Sequence, residues 1–244
     1  MRNLLLTLSF DGTNYHGWQV QKNALTVEEK LQDAIEKVCG KREDVKGCSR
    51  TDAGVHAEMF CCSFKTEKEI APDRLILALN ANLPDDIAVY SCREADMNFH
   101  ARYSCKSKEY TYKIWNSPYR NPFYYKRYLH YKYPLDEKTL NEAAQGFLGE
   151  HDFIGFCSAG SEVEDTVREI KKIGVTRCGE EMFIKVEADG FLYNMVRIIV
   201  GTLIGVSQGK IAARSIPAII ESKNRENAGV TAPACGLYLY KVFY

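Results

Sequence analysis

Two successive stretches of the chain carry the same order of predicted elements, β-α-β-β-α-β. In the first stretch, Thr26 stands three residues before Glu29, a capping-box spacing that predicts the start of a helix. Pro72 predicts the start of a second helix, because proline fits the first helical turn. Apolar or alternating patterns predict strands at residues 4–10, 45–49, 59–64 and 87–92.

The second stretch repeats this order and adds one helix. Asp136 is a predicted helix cap. The helix that follows it has an apolar face made of Leu140, Ala143, Ala144, Phe147 and Leu148. Further helices are predicted at residues 191–207 and 215–221, and strands at residues 108–115, 167–176, 182–187 and 236–244.

The repeated order predicts an α+β fold made of two tandem ferredoxin-like β-α-β-β-α-β halves. Their mostly antiparallel sheets are expected to join around a central cleft, which is the default position for a site. The predicted division gives an N-terminal domain at residues 1–103 and a C-terminal domain at residues 104–244. The boundary lies near residues 96–106, where the sequence becomes polar and irregular.

Composition excludes fibrous, disordered and membrane-spanning proteins. The chain has 244 residues, 45% of them hydrophobic and 26% charged. Asn194 and Arg197 interrupt the longest apolar stretch, residues 191–206, which is too short to span a bilayer. Nine cysteines without a Cys-x-x-Cys pair disfavour zinc and indicate a reducing cytoplasm. Glycines 201, 205 and 209 resemble a phosphate loop, but isoleucines at 204 and 211 favour close helix packing instead.

Charge is balanced over the whole chain, with 32 basic and 32 acidic residues, but not along it. Residues 100–133 contain eight lysines and arginines against the single acid Glu109, together with eleven aromatic residues. Cations suited to phosphates alternate there with rings suited to bases. A tyrosine-rich pair of strands with solvated lysines explains the same segment equally well.

The sequence RTDAGVH at residues 50–56 lies between two predicted strands and contains more functional groups than a turn requires. Gly54 permits a positive φ, and the small Ala53 leaves the carboxylate of Asp52 accessible. These residues alone are compatible with a plain turn or with an active-site loop.

Five blocks, in order along nearly the whole chain, resemble the TruA-type tRNA pseudouridine synthases. The first is DGTNYHGWQVQ at residues 11–21 with TVE at 26–28, and the second is RTDAGVH. The others are FHAR at 99–102 with KEYTY at 108–112, FLYNMVRIIVG at 191–201, and GLYL at 236–239. Five blocks in the family's order make the resemblance specific.

The resemblance implies isomerisation of uridine to pseudouridine at positions 38, 39 and 40 of the tRNA anticodon stem-loop. It also implies a homodimer in which each tRNA contacts both subunits, working without a cofactor. No metal and no membrane partner are expected, and the cytoplasm is the expected location. Carried over to this sequence, Asp52 is the nucleophile, Tyr110 is the ring against the target base, and Arg197 is the cation that pairs with Asp52. Further substrate contacts are implied at Arg50, Arg102 and Leu237.

Several alternatives remain open from the sequence. Asp52 could attack the sugar, attack the base, or act as the base that triggers glycal formation. A silent RNA-binding protein could keep the basic aromatic segment, although it would be free to lose Asp52, Tyr110 and Arg197. An aspartate-dependent hydrolase would need a metal cluster or a second carboxylate, and none is evident. His56 and His100 are interpreted as loop histidines with satisfied hydrogen bonds.

Overall fold

The computed structural model describes residues 1–160 and 163–244. They form a mixed α+β structure with two compact units. The first unit contains Met1–Lys106 and Leu239–Tyr244, and the second contains Ser107–Tyr238. This grouping differs from the predicted division at residues 103 and 104 in two respects. The boundary follows Lys106, and the last six residues belong to the first unit.

The described residues of these units contain ten strands and five α-helices. The strands are β1 (Arg2–Phe10), β2 (Lys46–Gly47), β3 (His56–Thr66), β4 (Ile87–Ala95), β5 (Ser107–Trp115), β6 (Leu129–His130), β7 (Gly149–Asp152), β8 (Val167–Cys178), β9 (Glu181–Ala188) and β10 (Leu237–Phe243). The helices are α1 (Val27–Cys39), α2 (Pro72–Asn80), α3 (Glu137–Ala144), α4 (Met195–Ser207) and α5 (Ile216–Glu221).

The first unit is built on a sheet with the strand order β4-β1-β3-β10, and β2 pairs with β3. Strand β1 is central and antiparallel to both neighbours; Leu6 lies opposite Cys62 on β3 and Cys92 on β4. Leucines of β1 are buried together with apolar residues of α1 and α2. The predicted element order of the first half, β-α-β-β-α-β, is observed.

Local signals in the sequence correctly predict where three helices start. The hydroxyl of Thr26 accepts a hydrogen bond from the Glu29 N–H at 3.4 Å, and Gly40 ends α1 with a φ of 83°. Pro72 is the first residue of α2. In the second unit, the Asp136 carboxylate accepts from the Thr139 N–H at 2.7 Å. All three predicted starts are confirmed.

The strands around the Asp52 loop differ from the prediction. Strand β2 has two residues instead of the five predicted at 45–49, and β3 begins at His56 instead of residue 59. Val45 and Cys48 are buried, which explains the apolar pattern, but the chain leaves the β3 ladder after Cys48. The backbone beyond Cys48 bonds to the segment at residues 11–21 instead.

The second unit contains an antiparallel sheet with the order β5-β9-β8-β7, and β6 runs parallel to β5. The β8–β9 hairpin is confirmed and is slightly longer than predicted. Strand β7 was not predicted, because the sequence GEHD has no apolar alternation. It is a short polar strand at the edge of the sheet, where few apolar contacts are needed.

Two predicted helix boundaries in this unit were wrong. Helix α4 begins at Met195 and not at residue 191, because Asn194 has a left-handed φ of 62°. Helix α3 ends at Ala144 and continues as one tighter turn, so Phe147 is buried whereas Leu148 is 38% exposed and lies off the apolar face. Within the described ranges, no helix has both the length and the apolarity to cross a membrane.

Candidate active site

The loop between β2 and β3 carries Asp52 at the start of a tight turn. The N–H of Val55 donates to the carbonyl oxygen of Asp52 at 3.1 Å, and Gly54 has a φ of 76°. A glycine at this place in a turn avoids the steric cost that another residue would meet at positive φ. The predicted role of Gly54 is therefore confirmed. Asp52 is half-buried, whereas Arg50 and Ala53 are exposed.

Residues 11–21, the first sequence block, hold this loop through their backbone. The N–H of Gly54 donates to the carbonyl oxygen of Tyr15 at 3.1 Å, and the N–H of Trp18 donates to that of Thr51 at 3.2 Å. The N–H of Gly12 donates to Nδ1 of His56 at 3.1 Å. The first and second sequence blocks are therefore parts of one structural unit.

Two glycines allow the block and the loop to approach closely. A Cβ on Gly12 would lie 1.9 Å from the carbonyl oxygen of Val55, and one on Gly17 would lie 2.1 Å from that of Thr51. Gly17 also has a φ of 84°. Backbone atoms cannot yield as a flexible side chain can, so both positions require glycine.

Tyr15 anchors the block from the other side. Its hydroxyl donates to the Asp86 carboxylate at 2.5 Å, and its side chain is 4% exposed. Burial and then the bond to Asp86 raise the pKa of Tyr15 well above its ordinary value, so the hydroxyl keeps its proton. Sequence reasoning missed Asp86, and nothing in the sequence distinguishes it from the exposed Asp85 beside it.

Trp18 and Glu28 fix the second part of the block. The Trp18 ring stacks on Phe60 of β3 with 4.0 Å between ring centroids. The buried Glu28 carboxylate accepts from the side chain of Gln19 at 2.7 Å and from the N–H of Val20 at 2.9 Å. Burial raises the pKa of Glu28, and the Val20 N–H opposes this effect. Both residues lie in the block quoted from the sequence, but their roles as anchors were not predicted.

The two histidines near these blocks are satisfied, as interpreted from the sequence. His56 is 1% exposed; its Nδ1 accepts from Gly12 and lies 3.1 Å from Oδ1 of Asp11. Nδ1 of His100 accepts from the N–H of Arg102 at 3.1 Å. Burial lowers the pKa of His100, which favours its neutral form.

The FHAR block turns tightly after β4. The N–H of Ala101 donates to the Ser63 hydroxyl at 3.2 Å, and the Tyr244 hydroxyl donates to the Ala101 carbonyl oxygen at 2.9 Å. Arg102 itself is exposed, with its guanidinium 5.9 Å from the centroid of the Tyr103 ring. Arg102 is therefore placed as a cation at the surface of the first unit.

Tyr110 lies in the middle of β5 in the second unit and is 5% exposed. Its ring meets the edge of Phe191, with centroids 5.0 Å apart and planes at 84°. Phe191, which begins the fourth sequence block, thus packs directly against the Tyr110 ring.

Arg197 lies in the first turn of α4 and is half-buried. Its Nε donates to the carbonyl oxygen of Ala232 at 2.7 Å, and Nη1 donates to Oδ1 of Asn194 at 2.6 Å. The Asn194 amide in turn donates to the Ser158 hydroxyl at 2.9 Å. Both acceptors are neutral, and together they fix the orientation of the guanidinium. Sequence reasoning missed Asn194, although it stands in the quoted block.

The segment that supplies Ala232 crosses α4 at two glycines. A Cβ on Gly201 would lie 1.7 Å from the Val230 carbonyl oxygen, and one on Gly229 would lie 2.4 Å from the Thr202 nitrogen. The small residues of α4 were interpreted as a helix-packing surface. Close packing is observed at Gly201, but its partner is this loop, and Gly209 simply ends the helix with a φ of 68°.

The predicted site residues are divided between the two units. Arg50 and Asp52 share one loop of the first unit. Arg102 belongs to the same unit but lies after β4. The second unit contains Tyr110, Arg197 and Leu237; Leu237 is the buried first residue of β10. Among the residues that the structure describes, no cluster of three His, Cys, Asp or Glu side chains could hold a metal ion.

Comparison with known proteins places this arrangement in a family. A family model described as tRNA pseudouridine synthase matches residues 7–104 and 143–244. The chain belongs to the tRNA pseudouridine synthase family. It is therefore an isomerase, and the resemblance noted in the five blocks is confirmed. Five of the predicted site residues lie inside the matched ranges, whereas Tyr110 lies between them.

Relatives within the tRNA pseudouridine synthase family match over their full length. A tRNA pseudouridine synthase A of Acetivibrio thermocellus is 49% identical over 244 residues, covering 100% of both chains. One of Ruminiclostridium cellulolyticum is 48% identical over 245 residues, again with complete coverage of both. A chain in the crystal structure of a Cbf5-Nop10-Gar1 complex has a TM-score of 0.37 and 11% identity, covering 96% of this chain and 57% of that one. This similarity is too low to support a conclusion about this chain.

Proposed function

We propose that this chain isomerises uridine to pseudouridine at positions 38, 39 and 40 of the tRNA anticodon stem-loop, with Asp52 as nucleophile. The observation that carries the proposal is the loop at residues 50–56, which presents Asp52 and Arg50 on a backbone fixed by residues 11–21. The curated relatives are named tRNA pseudouridine synthase A, which supports tRNA as the substrate.

The reaction breaks the glycosidic bond, rotates the uracil and rejoins it through carbon 5. The target nucleotide first leaves the helix stack, because its reacting atoms are inaccessible inside a duplex. A carboxylate then forms a covalent link to the sugar or to the base, or removes a sugar proton to give a glycal. The rigid backbone around Asp52 suits any of these routes, because each requires one fixed position of the carboxylate.

In this proposal the other residues bind the flipped nucleotide. The Tyr110 ring lies against the uracil and keeps it in place after the bond to the sugar breaks. Arg197 stabilises the ionised form of Asp52; its hydrogen bonds to Asn194 and Ala232 support this role, because they hold the guanidinium in one orientation. Arg50 helps to hold the flipped nucleotide, and Arg102 and Leu237 make further contacts with the tRNA.

We also propose a homodimer that works in the cytoplasm without a cofactor. All nine cysteines lie within the described residues and are free thiols, which suits a reducing compartment. Sedimentation of the purified protein at several concentrations tests the dimer, and a monomer throughout would contradict it.

Mapping the product tests the choice of uridines. Carbodiimide treatment of modified tRNA, followed by primer extension, stops reverse transcriptase at each pseudouridine. We expect stops that depend on the enzyme at positions 38, 39 and 40 in tRNAs carrying uridine there. Stops confined to other positions would refute the proposed substrate site and leave the reaction class intact.

Replacing Arg197 with methionine is expected to lower kcat far more than it weakens tRNA binding. The arginine is proposed to act on Asp52 in the reacting complex, so its loss removes stabilisation of the transition state and little ground-state affinity. We expect a fall in kcat of about 10²-fold or more, the size seen for single electrostatic groups. Single-turnover rates and equilibrium tRNA binding measure the two effects separately.

A structural role for Arg197 predicts a different outcome. The Asn194→Gly variant removes one acceptor of the guanidinium, keeps the charge and tolerates the positive φ at this position, so it is the matched control. We expect a smaller loss of kcat in this variant. Equal losses of kcat and affinity in Arg197→Met, accompanied by a lower melting temperature, would indicate that Arg197 only supports the fold.

A further inference from the structure

A loop of the second unit displays large aromatic rings to solvent. Residues 117–128, here called the aromatic loop, expose Tyr119 by 81%, Phe123 by 84% and Tyr125 by 73%. Folded proteins rarely leave several large rings of one loop in water unless the surface binds something. The loop lies in the basic aromatic segment identified in the sequence and outside the ranges matched by the family model.

Other tyrosines of the same loop hold it in place. Tyr124 and Tyr128 stack with centroids 4.2 Å apart, and the hydroxyls of both donate to the Glu181 carboxylate on β9. The Tyr238 hydroxyl donates to the Arg127 carbonyl oxygen at 2.8 Å. Because these contacts fix the backbone, the three outward rings are displayed on an ordered support. Binding to an ordered surface costs less conformational entropy than binding to a flexible loop, which must first become ordered.

The backbone of the aromatic loop makes two turns. The Asn121 side chain caps the turn by accepting from the Phe123 N–H at 3.0 Å. Lys126 has a φ of 59°, a conformation that residues other than glycine rarely adopt. This kink lies directly after the outward Tyr125 and before the inward Tyr128.

The aromatic loop also exposes positive charge. Arg120, Lys126 and Arg127 are exposed, and the loop contains no acidic residue. The nearby carboxylates of Glu180 and Glu181 accept hydrogen bonds from Ser117 and from the two inward tyrosines, respectively. Exposed rings and exposed cations in one loop that contains no acidic residue are features of surfaces that bind single-stranded nucleic acid.

We propose that the aromatic loop binds unpaired nucleotides of the tRNA. Tyr119, Phe123 and Tyr125 stack on bases, and the three cations neutralise neighbouring phosphates. The proposal rests on the proposed function for the identity of the RNA, but not on any role of Asp52. A second copy of this chain fits the surface less well, because a two-fold contact would bring the cationic loop against itself.

The test compares RNA binding by two matched variants. One carries Tyr119→Ala, Phe123→Ala and Tyr125→Ala; the control carries Tyr90→Ala, which removes a 51% exposed ring from β4 of the first unit. The probes are an unmodified tRNA transcript, a short oligouridylate and an RNA duplex of equal length. We expect the triple variant to raise the Kd for oligouridylate by about tenfold or more, because stacking of each base is substantial. Duplex affinity and the control variant should stay near wild type.

Two further variants separate stacking from charge and from folding. Tyr119→Phe with Tyr125→Phe keeps the rings and should retain the affinity for oligouridylate. Glutamine at Arg120, Lys126 and Arg127 should reduce the slope of log Kd against log salt by about two, since each phosphate contact contributes about 0.7 on a single strand. All variants should keep the wild-type melting temperature, because the altered side chains are exposed.

Specific results would overturn the proposal. An unchanged Kd for oligouridylate in the folded triple variant would do so. So would a triple variant that changes the sedimentation coefficient, since the loop would then join two copies of the chain. Loss of binding to phosphatidylserine vesicles with RNA affinity intact would assign the loop to a lipid surface. Repeating the measurement in an Asp52→Ala background keeps this result independent of the catalytic assignment.

Discussion

Replacing Asp52 with alanine is expected to abolish the release of tritium from tRNA carrying 5-tritiated uridine. Carbon 5 loses its tritium when it becomes bonded to the sugar, so release reports completed isomerisation. Removing a catalytic nucleophile commonly lowers kcat by about 10⁴-fold or more. The tRNA affinity should change little, because Asp52 is one half-buried side chain on a loop whose shape is set by backbone bonds.

The matched control for this prediction is Asp85→Ala. Asp85 is an exposed aspartate in the same unit, and its removal should leave tritium release at the wild-type rate. Tritium release by Asp52→Ala at a rate close to wild type would show that another group is the nucleophile. An inactive wild-type protein would instead refute the reaction itself.

Alanine at Gly17 is expected to damage both stability and turnover. The left-handed backbone costs an L-residue about 1–2 kcal/mol, and the new Cβ would lie 2.1 Å from the Thr51 carbonyl oxygen. Relieving such overpacking typically costs a further 1–3 kcal/mol or so. Since a domain is stable by only about 5–15 kcal/mol, the free energy of unfolding should fall measurably in urea titrations. Displacement of Thr51 also moves Asp52, so kcat should fall.

The Gly40→Ala variant separates the cost of the left-handed backbone from the cost of the close Cβ contact. Gly40 has almost the same φ, 83°, but a Cβ there meets nothing within 4 Å. This variant should lose only the conformational part, about 1 kcal/mol, and keep full activity. If the two variants lose equal stability and Gly17→Ala remains fully active, the close approach of residues 11–21 to the loop does not position Asp52.

The sequence predicted those parts of the fold that depend on local patterns. Capping residues such as Thr26 and Asp136 place helix starts because their hydrogen bonds span only three residues. Strand β7 escaped prediction because it is stabilised by pairing with β8 and not by its own apolar pattern. The left-handed Asn194, which shortens α4, likewise makes a long-range hydrogen bond, from its amide to the Ser158 hydroxyl, that no local pattern indicates.

In the candidate site, too, long-range contacts could not be predicted from the sequence. Its composition could identify the loop around Asp52, and the resemblance could assign roles to Tyr110 and Arg197. The anchors of the loop could not be predicted, because the bonds from Gly54 to Tyr15 and from Tyr15 to Asp86 join residues far apart in sequence. Pairwise contacts of this kind leave no periodic signal in a single chain.

The grouping of residues 239–244 with the first unit bears on how the protein is made. Strand β3 finds its neighbour β10 in residues that the ribosome adds only after the whole second unit. While residues 107–238 are being synthesised, part of one edge of β3 therefore lacks its strand partner. An unpaired strand edge is a template for pairing with other chains. During this interval the nascent chain can therefore aggregate through the edge of β3. A chaperone is therefore expected to protect this protein during synthesis, before β10 covers the edge of β3.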